Sequence, residues 1–207
     1  NKTNQVKILK RTDGAICQSV TYELEFETSR IEAEVSLKKN SCVLEFDVKL
    51  DWHELGNRTK GIPQLSFRIP ASYQTGTYRC IVPGGIIDRS EWAQDVPCLG
   101  YMEAVHAEET SLAVMSDCKY GFRGYDNTVS LTLQRAPYDP DPTPDQGEHY
   151  MKIGITAVGD KEDLTEKYDR FIHPLYAVSN SVHEGELPLS ENLLNVTGNV
   201  KVDVLKK

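Results

Sequence analysis

The densest set of groups that could do chemistry is acidic: Asp139, Asp141 and Asp145, with prolines between them. Carboxylates so arranged could hold a cation or sugar hydroxyls, and their spacing loosely resembles a calcium loop. The prolines and the lack of a closing glutamate at the right offset favour a solvated turn instead. The five histidines, at 53, 106, 149, 173 and 183, show no H-x-H or H-x-x-x-H spacing, so no local zinc site is expected. His53 follows Trp52 at the end of an alternating run and reads as a structural histidine. Asp51 and Glu54 beside it read as acceptors for loop backbone. His106 and His149 lie near predicted strands, but no glutamate is seen to partner either, so an acid and base pair is not expected from them. Arg89 and Trp92, in Ile-Asp-Arg-Ser-Glu-Trp, are the residues best suited to a sugar: a guanidinium bonds hydroxyls and an indole stacks on a ring face. Both also suit a domain interface. They are the substrate-proximal candidates, and no catalytic residue, metal ligand or cofactor site is assigned within this chain.

The elements that must position these groups are mostly strands, because apolar residues recur at every second position. Val20, Tyr22, Leu24 and Phe26 alternate with polar neighbours, and Ile31, Ala33, Val35 and Leu37 repeat the pattern after a break at 28–30, predicting a hairpin. Further runs start at Leu44, Leu65, Tyr78, Leu112, Val129, Met151 and Val200, giving about ten strands, the pattern of an antiparallel sandwich. One short helix is predicted, capped by Asp160 with Asp163 three residues on. Its stripe is Leu164, Tyr168, Phe171 and Ile172, and Pro174 ends it. Residues 83–97 and the proline-rich 137–147 read as long irregular loops, the first carrying Arg89 and Trp92. Gly121 is expected to supply a backbone conformation other residues refuse, and Tyr120 to bury its ring.

A net charge of −8 and a pI near 5.2 argue against nucleic-acid and anionic-membrane partners, which require a basic surface. No apolar run is long enough to span a bilayer. Five widely spaced cysteines read as free core thiols in a reducing compartment, so the sequons at Asn1, Asn57 and Asn195 are taken as chance matches and a cytoplasmic location is expected. The chain has no initiator methionine and is expected to be one domain, 1–207, of a longer polypeptide.

Four motifs in order carry a resemblance: Leu50-Asp51-Trp52-His53-Glu54, Ser116-Asp117-Cys118-Lys119-Tyr120-Gly121-Phe122, Gln134-Arg135-Ala136-Pro137, and Asp145-Gln146-Gly147-Glu148-His149. Together they resemble the C-terminal β region of family 38 glycoside hydrolases, the α-mannosidases, and most closely their bacterial and cytosolic branch. Ser116, Gln134 and Thr156-Ala157 depart from that pattern. The resemblance implies an all-β antiparallel supersandwich similar to the galactose mutarotase-like fold. It implies too that the zinc, the aspartate nucleophile and the metal ligands of a retaining mannosidase lie in an N-terminal domain absent here, which would be this domain's partner along with the α-mannoside. An autonomous carbohydrate-binding module and a sugar epimerase on the same fold remain alternatives.

Overall fold

The computed structural model describes residues 6–107, 109–159, 163–182, 184–186, 188, 190–192, 194–198, 200 and 202. The chain divides into two units, 1–174 and 175–207. All strands and the helix lie in the first. The described residues of the second form neither helix nor strand, so the strand expected through Val200 and Val202 does not form there; Val204 lies outside the described residues.

Among the described residues thirteen strands build two antiparallel sheets. They are β1 (Lys7–Asp13), β2 (Cys17–Phe26), β3 (Ser29–Lys38), β4 (Val43–Trp52), β5 (Gln64–Pro70), β6 (Thr77–Val82), β7 (Gly85–Ser90), β8 (Val96–Pro97), β9 (Tyr101–Ala104), β10 (Ser111–Ser116), β11 (Gly121–Tyr125), β12 (Thr128–Arg135) and β13 (Gly147–Val158). The large sheet runs β1-β2-β3-β4-β13-β10-β9-β6-β7, and the small sheet β5-β12-β11-β8. This is the all-β sandwich that the alternation implies. The main core lies between the sheets, where Leu50, Trp52, Tyr78, Cys80, Met102 and Val114 of the large sheet meet Phe122, Leu131 and Leu133 of the small one.

The opposite face of the large sheet is not left to solvent throughout. Helix α1 (Leu164–Ile172) lies on it, and Leu164, Tyr168 and Phe171 pack with Tyr101, Ala113, Met115 and Val158 into a second cluster. Asp163 caps this helix, its side chain accepting from the backbone N–H groups of Thr165 and Glu166. The cap therefore sits at Asp163; Asp160 lies outside the described residues. Close approach fixes the docking, since a Cβ on Gly100 would lie 2.0 Å from the Tyr168 ring.

Four further expectations are corrected. Residues 83–97 are not an irregular loop: 85–90 form β7, the edge strand, joined to β6 by a turn at Pro83-Gly84 in which Gly84 has φ +88°. Tyr120 does not bury its ring but stays 54% exposed, and Gly121 meets only ordinary contacts without a left-handed φ, so its place does not demand glycine. Of the five free cysteines only Cys80 and Cys98 are core residues; Cys42 and Cys118 are exposed. Among the described residues no helix is long and apolar enough to cross a membrane.

Candidate functional sites

The motif residues converge because β4 pairs with β13, which sets Trp52 opposite Gly147, Asp51 opposite Glu148 and Leu50 opposite His149. At this end of the sandwich Glu54 accepts hydrogen bonds from Thr28 N (3.0 Å), Thr28 Oγ1 (3.0 Å) and Ser29 Oγ (2.8 Å), tying the β2–β3 turn to the end of β4. Gln146 donates to the Glu54 carbonyl at 2.9 Å. A Cβ on Gly56 would fall 2.2 Å from the Ala136 carbonyl oxygen, so the third motif packs here as well. His53 Nε2 lies 2.8 Å from Asp51 Oδ1. The hydroxyls beside it are taken up by the fold: Ser29 Oγ by Glu54 and the His53 backbone N–H, and Thr28 Oγ1 by Glu54 and the His53 carbonyl. The second motif closes a separate turn. Ser116 Oγ accepts from Lys119 N at 3.0 Å, and Asp117 Oδ1 from Lys152 N at 2.9 Å. The departures Ser116, Gln134 and Thr156 thus all make hydrogen bonds in the fold. The acidic cluster is a turn: Asp141 Oδ1 accepts from Thr143 N, and the Asp145 carbonyl faces His149 Nε2 at 2.7 Å.

Arg89 and Trp92 are brought to one edge of the sandwich, organised around Tyr78. Register sets Arg89 opposite Tyr78. The Tyr78 ring lies where a side chain on Gly124 would stand (2.1 Å), and the Gly124 carbonyl accepts from Trp92 N at 2.8 Å. The two candidates play different parts. Trp92 is 58% exposed, whereas Arg89 turns inward and donates from Nε to Cys80 Sγ at 3.3 Å. The Cys98 thiol beside it, opposed by burial and helped by Arg89, holds the Cys80 thiol below the usual thiol range, while the same neighbour and burial push Cys98 up. Asp88, the residue before Arg89, is taken by Arg79 through Nε (2.9 Å) and Nη2 (3.2 Å).

A cavity of about 350 Å³ opens on the helix-bearing face of the large sheet. Arg79, Glu103, Tyr101 and Thr165 are among its lining residues, and so is His106. Sequence reasoning found no glutamate for His106; the fold sets Glu103 in the same cavity. The one available signal was Glu103 itself, a charge inside the apolar run Tyr101-Met102-Glu103-Ala104-Val105. Among the described residues no group of three His, Cys, Asp or Glu side chains gathers to hold a metal ion.

Comparison with known proteins locates the chain. The sequence profile described as the glycosyl hydrolases family 38 C-terminal domain matches residues 1–143. Alpha-mannosidase 2C1 of Mus musculus is 29% identical over 147 residues, covering 70% of this chain and 14% of that protein; the Homo sapiens form is 28% identical over 153 residues with the same coverage. The chain therefore spans about a seventh of the length of these relatives. An alpha-mannosidase of Saccharomyces cerevisiae is 41% identical over a 44-residue stretch. Two solved structures share the fold: a family 38 glycosyl hydrolase from Enterococcus faecalis (TM-score 0.68, 16% identity, 88% of this chain and 26% of that one) and an alpha-mannosidase from strain V583 (TM-score 0.69, 15% identity, 88% and 25%).

Proposed function

Because the chain belongs to the family of C-terminal domains of family 38 glycosyl hydrolases, we propose that it is the non-catalytic β-sandwich of an α-mannosidase, with the hydrolysis of terminal α-mannosides carried out by a catalytic domain of the same polypeptide. The profile match over residues 1–143 carries this reading. The use of the motif residues supports the non-catalytic part, since Glu54, Gln146, Ser116 and Asp117 are spent holding strands and turns together. In the whole enzyme zinc and a retaining carboxylate pair would belong to the catalytic domain, and no step of that chemistry runs through residues described above. The domain would act in the cytoplasm, a reading supported by five free cysteines.

Trp92, exposed on the Tyr78 edge, and Arg89 behind it are the proposed substrate-proximal residues. Trp92 would offer its indole to the sugar or to the neighbouring domain, and Arg89 would hold the strand that presents it. Two assays test the proposal. The 207-residue chain alone should leave a chromogenic α-mannoside unhydrolysed, while the polypeptide containing both domains should cleave it; turnover by the chain alone would sink the non-catalytic reading. In the two-domain enzyme Trp92→Ala should lower kcat/KM about tenfold, equivalent to about 1.4 kcal/mol of transition-state binding, at unchanged melting temperature. Unaltered kinetics would place Trp92 away from the substrate.

A further inference from the structure

The cavity on the helix-bearing face has a polar arrangement that the fold uses only in part. Asp88, Arg79 and Glu103 stand in one row across β7, β6 and β9, because register pairs Arg79 with both neighbours. Arg79 commits Nε and Nη2 to Asp88, which leaves Nη1. That nitrogen lies 3.8 Å from Glu103 Oε2, an ion pair too long for a hydrogen bond. Glu103 is buried, its side chain only 7% exposed, with that long ion pair to Arg79 facing the cavity. A carboxylate so buried and held from its cation by more than hydrogen-bond distance gains from a donor placed between the two. Across the cavity the Tyr101 hydroxyl and Thr165 Oγ1 lie 3.0 Å apart, adding hydroxyl oxygens, and Ile86 and Val158 contribute apolar wall.

These features select the ligand's chemistry. A cation drawn to Glu103 meets the Arg79 guanidinium a few ångströms away, and an anion drawn to Arg79 meets the carboxylate. A hydroxyl satisfies both, accepting from Nη1 while donating to Oε2, and the C–H edges of a polyol can rest on Ile86 and Val158. The volume lies at the lower end of the range for small-molecule sites, which suits one sugar ring. We infer that the cavity between β6, β9 and the start of α1 is a binding site for a neutral monosaccharide, held by Arg79 and Glu103. The site is separate from the Tyr78 edge, and the inference does not rest on the proposed function: it holds or fails whether or not the chain serves a mannosidase.

The test is titration of the 207-residue chain with D-mannose, D-glucose and myo-inositol, followed by calorimetry and amide chemical shifts, with methylammonium and inorganic phosphate as charged controls. Saturable binding of at least one neutral ligand is expected at about millimolar Kd, with shifts centred on Glu103 and Thr165. Glu103→Gln should weaken it about tenfold, because the hydroxyl loses its charged acceptor. Ile86→Trp, at a half-exposed position on the edge strand, should block the cavity and abolish binding while the melting temperature holds. No saturable signal from any neutral ligand, tighter binding of either ion, or binding unchanged in both variants would each overturn the inference and leave a cavity filled by water alone.

Discussion

Single side chains here are judged by what they hold. Glu54 accepts three hydrogen bonds from the β2–β3 turn, and a charged acceptor of this kind is worth more than a neutral one. Glu54→Ala strands the buried Ser29 hydroxyl's partner site and frees the turn, so a loss of about 2 kcal/mol is expected in chemical denaturation; a change within about 0.5 kcal/mol, typical of a plain surface position, would contradict the assigned role. Glu45 bears a pH signature. Burial opposes its ionisation, but hydrogen bonds from Lys152 and Lys38 outweigh burial and hold the carboxyl below its ordinary value of 4.5. A carboxyl held low in the folded state binds fewer protons there than in the unfolded chain. Its stabilisation is therefore present above that ordinary value and fades as pH falls through the lower folded value. Glu45→Gln should be less stable than the parent at neutral pH and converge on it in acid. A gap that stayed constant through the acid range would show that the ion pairs with Lys38 and Lys152 are not its source.

Whole elements show what was legible in the sequence and what was not. β2, β3, β4 and β13 stand out because one face is buried and the other solvated, so apolar residues alternate over long runs. β1 leaves no such trace: every one of its residues is exposed, and only its pairing with β2 makes it a strand. β7 is hidden for a related reason, as an exposed edge strand following Pro83-Gly84. β9 fails in the opposite way. Tyr101 faces the helix, Met102 the core and Glu103 the cavity, so all four residues are buried and no alternation survives. The candidate cavity could not be read locally either, because Arg79, Glu103 and Thr165 come from β6, β9 and α1 and meet only through sheet order. The helix was legible from its stripe, and the capping contact at Asp163 supports a test. Asp163→Ala removes the acceptor for Thr165 N and Glu166 N and should cost about 1 kcal/mol. Amide exchange should quicken across 164–172 ahead of the rest of the sheet; uniform quickening would mean that the helix opens only with the whole domain.

At the scale of the molecule the sheets are unequal, nine strands against four, and the small sheet cannot cover the large one to its end. Along β2 and β3 the core-facing row begins well packed, where Phe26 meets Trp52 with ring centroids 6.4 Å apart. It ends in the open, with Val20 36% and Leu37 45% exposed around a shallow groove shared with Val35 and Leu44. Ile8, opposite Tyr22 on the edge strand β1, continues this apolar ledge at 50% exposure. Contiguous apolar surface beside an unpaired strand edge favours association, by burial of the ledge and by pairing along β1. β1 answers the second route with Lys7, Lys10 and Arg11, charges of the kind that blunt edges. The ledge has no comparable guard, since Arg11 and Asp13 stand only at its rim. The isolated chain is therefore expected to self-associate with rising concentration, and Val20→Glu with Leu37→Lys should return it to a monomer in sedimentation measurements. Both positions are partly solvated, so the double variant should lose little stability and keep its melting temperature within a few degrees, about what 1 kcal/mol produces in a domain of this size. Concentration-independent sedimentation of the parent chain would show that the ledge is too small to act alone. Association that survives the double variant would move the cause to the β1 or β7 edge.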